Sequence, residues 1–167
     1  HDHYDSDSAV AATSSPWRPV SSDNQPMGRP LPLLTDLNRF FWTSGADGQL
    51  RFLRCSTCRA WAHPPQPVCR SCGSTELAPE TVSGRARVLG WTLNHQPWHP
   101  AFAPPYVIAI VGLVEDDGVR LTTNLIDVEA DAIGIGMEVE VVFEQDDDVW
   151  LPLFRPVGAA QAGATAS

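Results

Sequence analysis

Cys55-Ser56-Thr57-Cys58 and, ten residues further on, Cys69-Arg70-Ser71-Cys72 decide how this chain folds. Each Cys-x-x-Cys turn places two thiolates on one side of a tight loop, and two facing turns supply the four tetrahedral ligands that zinc prefers. No other cysteine occurs in the chain. We therefore predict one zinc ion bound by these four residues. Because protein sulfur fills every ligand position, its role should be structural.

Two other interpretations of the cysteines are two disulfides and four unrelated thiols. The start of the chain lacks a charged region followed by an apolar one, which a secretory signal would need, so disulfides are not favoured. Thioredoxin-type redox chemistry needs one Cys-x-x-Cys beside a βαβ unit, and no such unit is predicted. The repetition of the motif favours a metal site over unrelated thiols.

Composition narrows the class of protein. Of 167 residues, 43% are hydrophobic and 19% charged, which is typical of a globular chain with a real core. The net charge of -9, with 11 Lys and Arg in total, opposes binding to a polyanion, so nucleic acid is not expected as a partner. No apolar stretch reaches the roughly 18 residues of a membrane span, and we expect a cytoplasmic protein without a membrane partner.

The chain before the cysteines divides into two parts. Residues 1–32 are rich in Ser, Ala, Asp and Pro without periodicity, and we predict a disordered leader or linker. From Leu33 to about Gly45, apolar residues recur at helical spacing, which predicts a short amphipathic helix. Its aromatic face should pack inside the chain or against a partner protein. A strand over 49–54 then leads to the cysteines, and residues 33–80 form the predicted helix and zinc ribbon.

The chain after the cysteines is β-rich. Turn signals separate five runs of β-branched and aromatic residues. These predicted strands are Ala86–Asn94, Tyr106–Val114, Val119–Leu125, Met137–Phe143 and Val149–Phe154. One helical turn fits between the third and fourth. We therefore predict a mainly β fold in which residues 81–157 form a five-stranded Greek-key barrel of the OB type, with a β-sandwich as the alternative. Residues 158–167 should be a disordered tail.

No catalytic constellation emerges from the sequence. His63, His95 and His99 lie among Pro and Trp in predicted loops without a nucleophile and carboxylate at useful spacing, so solvated or hydrogen-bonded loop histidines are expected. The rings of Trp91, Trp98, Phe102 and Tyr106 could stack bases in a barrel that binds single-stranded nucleic acid. Such a barrel needs a cationic groove, which is not predicted, so core or interface packing is the favoured use of these rings.

The order of several short motifs from Leu33 to Pro156 is more specific than any one of them. It resembles the acyl-CoA-associated OB-fold family with an N-terminal rubredoxin-like zinc ribbon. The motifs are Phe41-Trp42, Gly48-x-Leu50, Arg54-Cys55-x-x-Cys58, Pro64-Pro65, Cys69-x-x-Cys72, Pro105-Tyr106-Val107-Ile108-Ala109, Thr123-Asn124-Leu125, Ile135-Gly136-Met137-x-Val139 and Leu151-Pro152-x-Phe154. Arg59 departs from the pattern, because the family often has glycine there.

The resemblance implies a non-catalytic accessory subunit of a thiolase-like enzyme. Similar domains in actinobacterial steroid degradation are fused to, or lie beside, a hot-dog enoyl-CoA hydratase and assemble with a thiolase-like retro-aldolase that cleaves side-chain acyl-CoA. The absence of lysine in this Ala-rich chain is typical of a high-GC genome of that kind. The predicted role is to bind the enzyme and support its activity or its CoA-thioester binding. Arg85, Arg87 and Arg120 are the candidate contacts to CoA phosphates.

Overall fold

A computed structural model describes residues 28–159, which form a mainly β fold. A single α-helix, α1, precedes eight strands. The elements are α1 (Arg39–Thr43), β1 (Arg51–Cys55), β2 (Trp61–Ala62), β3 (Leu77–Thr81), β4 (Arg85–Asn94), β5 (Tyr106–Leu113), β6 (Arg120–Leu125), β7 (Glu138–Asp146) and β8 (Val149–Pro156). No helix in this part of the chain has the length and apolarity needed to cross a bilayer.

The predicted OB-type barrel is confirmed. Strands β4 to β8 close in the order β4-β5-β6-β8-β7, and β7 returns to β4 through the register Ala86 opposite Val139. This is the Greek-key order in which the fifth strand lies between the third and the fourth. The predicted turn between the third and fourth barrel strands is a 3₁₀ turn at Ala130–Ala132. Closure leaves alternate side chains inside, so Val88, Val111 and Phe154 are fully buried.

The predicted amphipathic helix is shorter than the sequence suggested. It begins at Arg39 rather than Leu33 and continues into a 3₁₀ turn at Ser44–Asp47. The Thr35 amide donates to Asn38 Oδ1 at 2.8 Å, and the Asn38 amide donates to Thr35 Oγ1 at 3.3 Å. These side chains close a separate turn that competes with helical hydrogen bonding. Leu33, predicted on the buried face, is consequently 82% exposed.

The last residues of the predicted leader contact the barrel. We call residues 29–34 the leading segment. Within it, Leu31 and Leu34 pack on a small apolar cluster formed by Val149, Leu151 and Leu153 of β8. The disorder predicted for residues 1–32 therefore does not extend to this segment. The rest of that prediction, and residues 160–167 of the tail predicted for 158–167, lie outside the described residues.

The ribbon and the barrel share one hydrophobic core. Strands β2, β1 and β3 form a small antiparallel sheet in that order, in which Leu53 lies between Ala62 and Pro79. Phe41 of α1, together with Leu50 and Phe52, belongs to the same buried cluster as the barrel interior. The predicted packing of the aromatic face inside the chain is thus observed for Phe41. The small sheet that holds the cysteine turns is therefore connected to the barrel through this shared core.

Candidate metal centre

The two Cys-x-x-Cys turns have matching backbone geometry. In the first, the Arg59 amide donates to the Cys55 carbonyl at 3.0 Å, and in the second the Gly73 amide donates to the Cys69 carbonyl at 2.9 Å. Arg59 and Gly73 occupy equivalent positions and both have left-handed backbones, with φ of 63° and 75°. Glycine adopts this conformation without strain. The turn therefore keeps its shape despite Arg59, at a conformational cost that glycine would avoid.

All four cysteine sulfurs lie within 4.8 Å of one another. The Cys55 and Cys72 sulfurs are 3.7 Å apart, and those of Cys58 and Cys69 are 3.6 Å apart. Four thiolates in a tetrahedron with zinc–sulfur bonds of about 2.3 Å would be separated by roughly 3.8 Å. Cys55 and Cys69 are buried whereas Cys58 and Cys72 are exposed, which places the cluster at the surface of the ribbon. The donor set and its spacing fit zinc.

The polar surroundings of the sulfurs also suit a cation. The backbone N–H of Cys58, with a smaller contribution from that of Thr57, lowers the pKa of Cys55 to about 6. The backbone N–H of Cys72 likewise lowers the pKa of Cys69. The Ser74 amide acts in the same direction on Cys72, but burial and the three neighbouring thiols outweigh it and raise that pKa to about 12. Four adjacent thiolates repel one another, and a divalent cation among them would remove this repulsion.

Charged side chains brace the first cysteine turn against β3. Arg59 forms an ion pair with Glu80 at 3.0 Å, and Arg54 approaches the same carboxylate at 3.8 Å. The Arg54 guanidinium also lies over the ring of Trp61, 4.1 Å from its centroid. The sequence motifs include Arg54 but give no role to it or to Glu80, because their relation depends on the pairing of β1 with β3. These contacts orient the first cysteine turn. The metal ligands we propose are the four cysteines alone.

The histidines differ in their surroundings. His63 does not follow the prediction of a solvated or hydrogen-bonded loop residue. Its ring packs against Phe41 and Phe52, with centroids 5.1 and 4.9 Å away. Burial lowers the pKa of His63 to about 4. His99 does follow the prediction, because its Nδ1 accepts from the Ala101 amide at 3.2 Å.

The three candidate phosphate-binding arginines lie on the outer face of the barrel. Arg87 and Arg120 are both paired in register with Gly112, one from each side, and Arg85 lies two residues before Arg87 on the same face of β4. Arg87 forms an ion pair with Glu138 at 3.3 Å. The structure thus brings Arg87 and Arg120 near one another, while contact with CoA stays a prediction.

A cavity of about 720 Å³ is lined in part by residues of β5, β6 and β7. Arg29 of the leading segment lines it, bonded to Glu144 and Asn124 at 3.0 Å each. Its guanidinium also lies 5.1 Å from the centroid of the Phe102 ring. No sequence pattern predicts this arrangement, because Arg29 stands in a Pro-rich stretch without periodicity. Phe102 in turn packs against Tyr106, whereas Trp98 is 77% exposed.

Comparison with known proteins agrees with this architecture. Residues 42–78 match the family model described as "ChsH2, rubredoxin-like zinc ribbon domain", and residues 79–144 match "ChsH2, C-terminal OB-fold domain". A DUF35 domain-containing scaffold protein of Pyrococcus furiosus is 37% identical over 104 residues, which cover 56% of this chain and 74% of that protein. The chain belongs to the ChsH2/DUF35 family.

Two longer relatives are named as hydratase subunits. A probable enoyl-CoA hydratase alpha subunit of Thermomonospora curvata is 40% identical over 129 residues, which cover 77% of this chain and 40% of that protein. The 3-oxo-4,17-pregnadiene-20-carboxyl-CoA hydratase alpha subunit of Mycobacterium tuberculosis is 30% identical over 117 residues, which cover 70% of this chain and 37% of that protein. This ChsH2-type chain therefore spans about two fifths of the length of these relatives.

A solved structure of the same family is similar to three quarters of this chain. A chain of the Ltp2-ChsH2(DUF35) aldolase superposes with a TM-score of 0.69 at 37% sequence identity, covering 75% of this chain and 98% of the other. The resemblance expected from the sequence motifs is thus confirmed at the level of the family.

Proposed function

We propose that the chain is a non-catalytic accessory subunit that binds a thiolase-like aldolase and supports its activity. The observation that carries this proposal is the 37% identity with a chain of a solved aldolase complex, of which 98% is covered. The relative named for a pregnadiene-carboxyl-CoA favours a steroid side-chain acyl-CoA as the enzyme's substrate. In this proposal the partner cleaves a carbon–carbon bond of that thioester, and the present chain completes the assembly.

The chemistry of the described residues supports an accessory role. The cysteine cluster offers four protein ligands and leaves no position for substrate on a tetrahedral metal. Within residues 28–159, the ring of His63 packs on two aromatic rings, and His99 Nδ1 accepts a hydrogen bond from its own loop. We assign Cys55, Cys58, Cys69 and Cys72 to one structural zinc ion. Bound zinc would fix the two cysteine turns against each other.

Two further parts of the proposal concern the CoA thioester and a hydratase. Arg85, Arg87 and Arg120 present their charges on one outer face, where they could contact CoA phosphates held mainly by the enzyme. The hydratase names of the longer relatives support an association, or a fusion, with a hot-dog enoyl-CoA hydratase. The part of the predicted leader before the leading segment would then connect to that hydratase.

Co-expression tests the partnership. The chain is produced with the Ltp2 homologue encoded in its source genome, and size-exclusion chromatography with light scattering measures the mass of the assembly. We expect a hetero-oligomer whose retro-aldol turnover of a steroid side-chain acyl-CoA exceeds that of the homologue alone by at least about tenfold, the effect of 1.4 kcal/mol on a barrier. A chain that stays separate and leaves the enzyme's turnover unchanged would refute the proposal.

A further inference from the structure

Strand β4 is longer than the strand that pairs with one of its edges. It pairs with β5 as far as Asn94, but its register with β7 covers only Arg85–Arg87. The last backbone contacts on the β7 side are made by Val88, whose N–H donates to Met137 at 3.0 Å and whose carbonyl accepts from Gly136 at 2.7 Å. Beyond this point, no strand in the described part of the chain pairs with that edge. We call the unpaired edge of residues 90–94 the free edge.

A β-bulge explains why β7 stops there. The register between β4 and β5 shifts between Val88 and Gly90, and such a bulge bends the strand and increases its twist. Residues 90–94 therefore turn away from β7 but stay paired with β5 through backbone hydrogen bonds. Alternate residues of a strand turn their N–H and C=O groups to opposite edges, so part of this backbone faces outward without a partner.

The free edge lacks the usual protection of an exposed edge. Residues 90–94 are Gly, Trp, Thr, Leu and Asn, without a charge or a proline. Natural sheets usually block such edges with charged residues, prolines or covering elements. Apolar side chains also surround it. Leu89 and Trp91 are each 37% exposed, and Ile135, adjoining Gly136 where β7 departs, is 70% exposed.

We propose that an extended segment of the partner aldolase adds to β4 as a further strand along the free edge. This inference rests on the proposed function and specifies where the partner binds. A row of outward N–H and C=O groups is matched in spacing by another extended backbone, and the neighbouring apolar side chains fit alternate apolar residues of that segment. A second copy of the chain fits less well, because two bodies of charge -9 repel each other.

Hydrogen–deuterium exchange on the unmodified proteins gives the direct test. Backbone amides in residues 90–94 that do not bond to β5 should exchange quickly in the free chain. In the complex with the Ltp2 homologue they should slow by at least about tenfold, as amides do on entering a stable ladder. If the complex forms and these amides exchange at the same rate, strand addition is wrong while the partnership stands. If no complex forms, both proposals are wrong.

A matched pair of variants gives a second measurement. Thr92 is exposed on β4, and Thr122 is exposed on β6, two strands away from the free edge. Thr92→Lys places a charge where edge strands are naturally guarded and should weaken binding of the enzyme by about tenfold or more. Thr122→Lys makes the same change of charge and should leave affinity within about twofold, as surface substitutions away from a contact do. Equal affinities of the two variants would overturn the inference.

Discussion

At the scale of single residues, the cysteines differ in burial although they share one ion in our proposal. Cys55 and Cys69 are enclosed by the ribbon, and their backbone partners favour the thiolate form. Cys58 and Cys72 face outward. The main-chain N–H groups of Cys58 and Cys72 contact the two buried sulfurs, and that of Ser74 contacts the outer sulfur of Cys72.

Removing a buried sulfur should abolish metal binding. Cys55→Ser is expected to lower zinc content from about one ion per chain to less than a tenth, because the closed site needs four ligands. Loss of a structural metal should lower the free energy of unfolding by roughly 3 kcal/mol or more. Elemental analysis and urea denaturation measure the two effects. Ser71→Ala, in an exposed position between two cysteines, is the control and should retain both zinc and stability.

His63 should make stability depend on pH. Burial lowers its folded-state pKa to about 4, below the ordinary value of 6.5, so the unfolded chain binds more protons between these values. The free energy of unfolding should therefore fall as pH decreases through this window, by about 3 kcal/mol in total and by about 2 kcal/mol between pH 7.5 and pH 5. Urea denaturation at pH 7.5 and pH 5 tests this. His63→Phe, which keeps an aromatic ring beside Phe41 and Phe52, should reduce the pH dependence, and an unchanged slope would contradict the assignment.

At the scale of elements, the backbone just after the short helix lies directly against side chains of the barrel. Gly45, in the 3₁₀ turn after α1, is buried against the ring of Phe143 on β7 and the side chain of Trp150 on β8. A Cβ at this position would lie 2.5 Å from Phe143 Cδ1 and 2.6 Å from Trp150 Cβ. A larger residue would push the helix away from the barrel.

Gly45→Ala should therefore lower the free energy of unfolding by about 1–3 kcal/mol through overpacking. Gly134→Ala is the matched control, since a Cβ there would meet no atom within 4 Å. Its effect should stay within about 0.5 kcal/mol. Chemical denaturation of both variants separates the steric cost from the general effect of replacing glycine. Equal stabilities would show that Phe143 and Trp150 move aside freely.

The sequence predicted some elements better than others for physical reasons. The barrel strands were predicted well because Pro, Gly and Asp bound their buried β-branched runs. The largest difference between a predicted and an observed strand end is in β7, which ends at Asp146 instead of Phe143. Strand β3 was missed because Pro79 interrupts a run without apolar alternation. The leading segment was missed because its packing depends on a β8 surface more than 110 residues later, as the contact of Leu31 and Leu34 with the cluster around Val149 illustrates. Tertiary contacts of this kind leave no local pattern.

At the scale of the whole molecule, charge argues against the alternative of a single-strand nucleic-acid binder. The chain carries 20 acidic and 11 basic residues, and six of the arginines form ion pairs with carboxylates among those described. Fluorescence anisotropy with labelled oligonucleotides should therefore show no binding at micromolar protein, even at low salt where phosphate contacts are strongest. Saturable binding that weakens steeply with added salt would instead favour the nucleic-acid function.

The shared core has a consequence for how such chains can diverge. The two family models meet between residues 78 and 79, yet Phe41, Leu50 and Phe52 on one side of that border are buried with Ala86 and Val88 on the other. A recombination event at the border would leave each half with exposed aromatic or aliphatic surface. We therefore expect the ribbon and the barrel to be inherited as one unit. Transfer of this fold to another protein would have to include both parts.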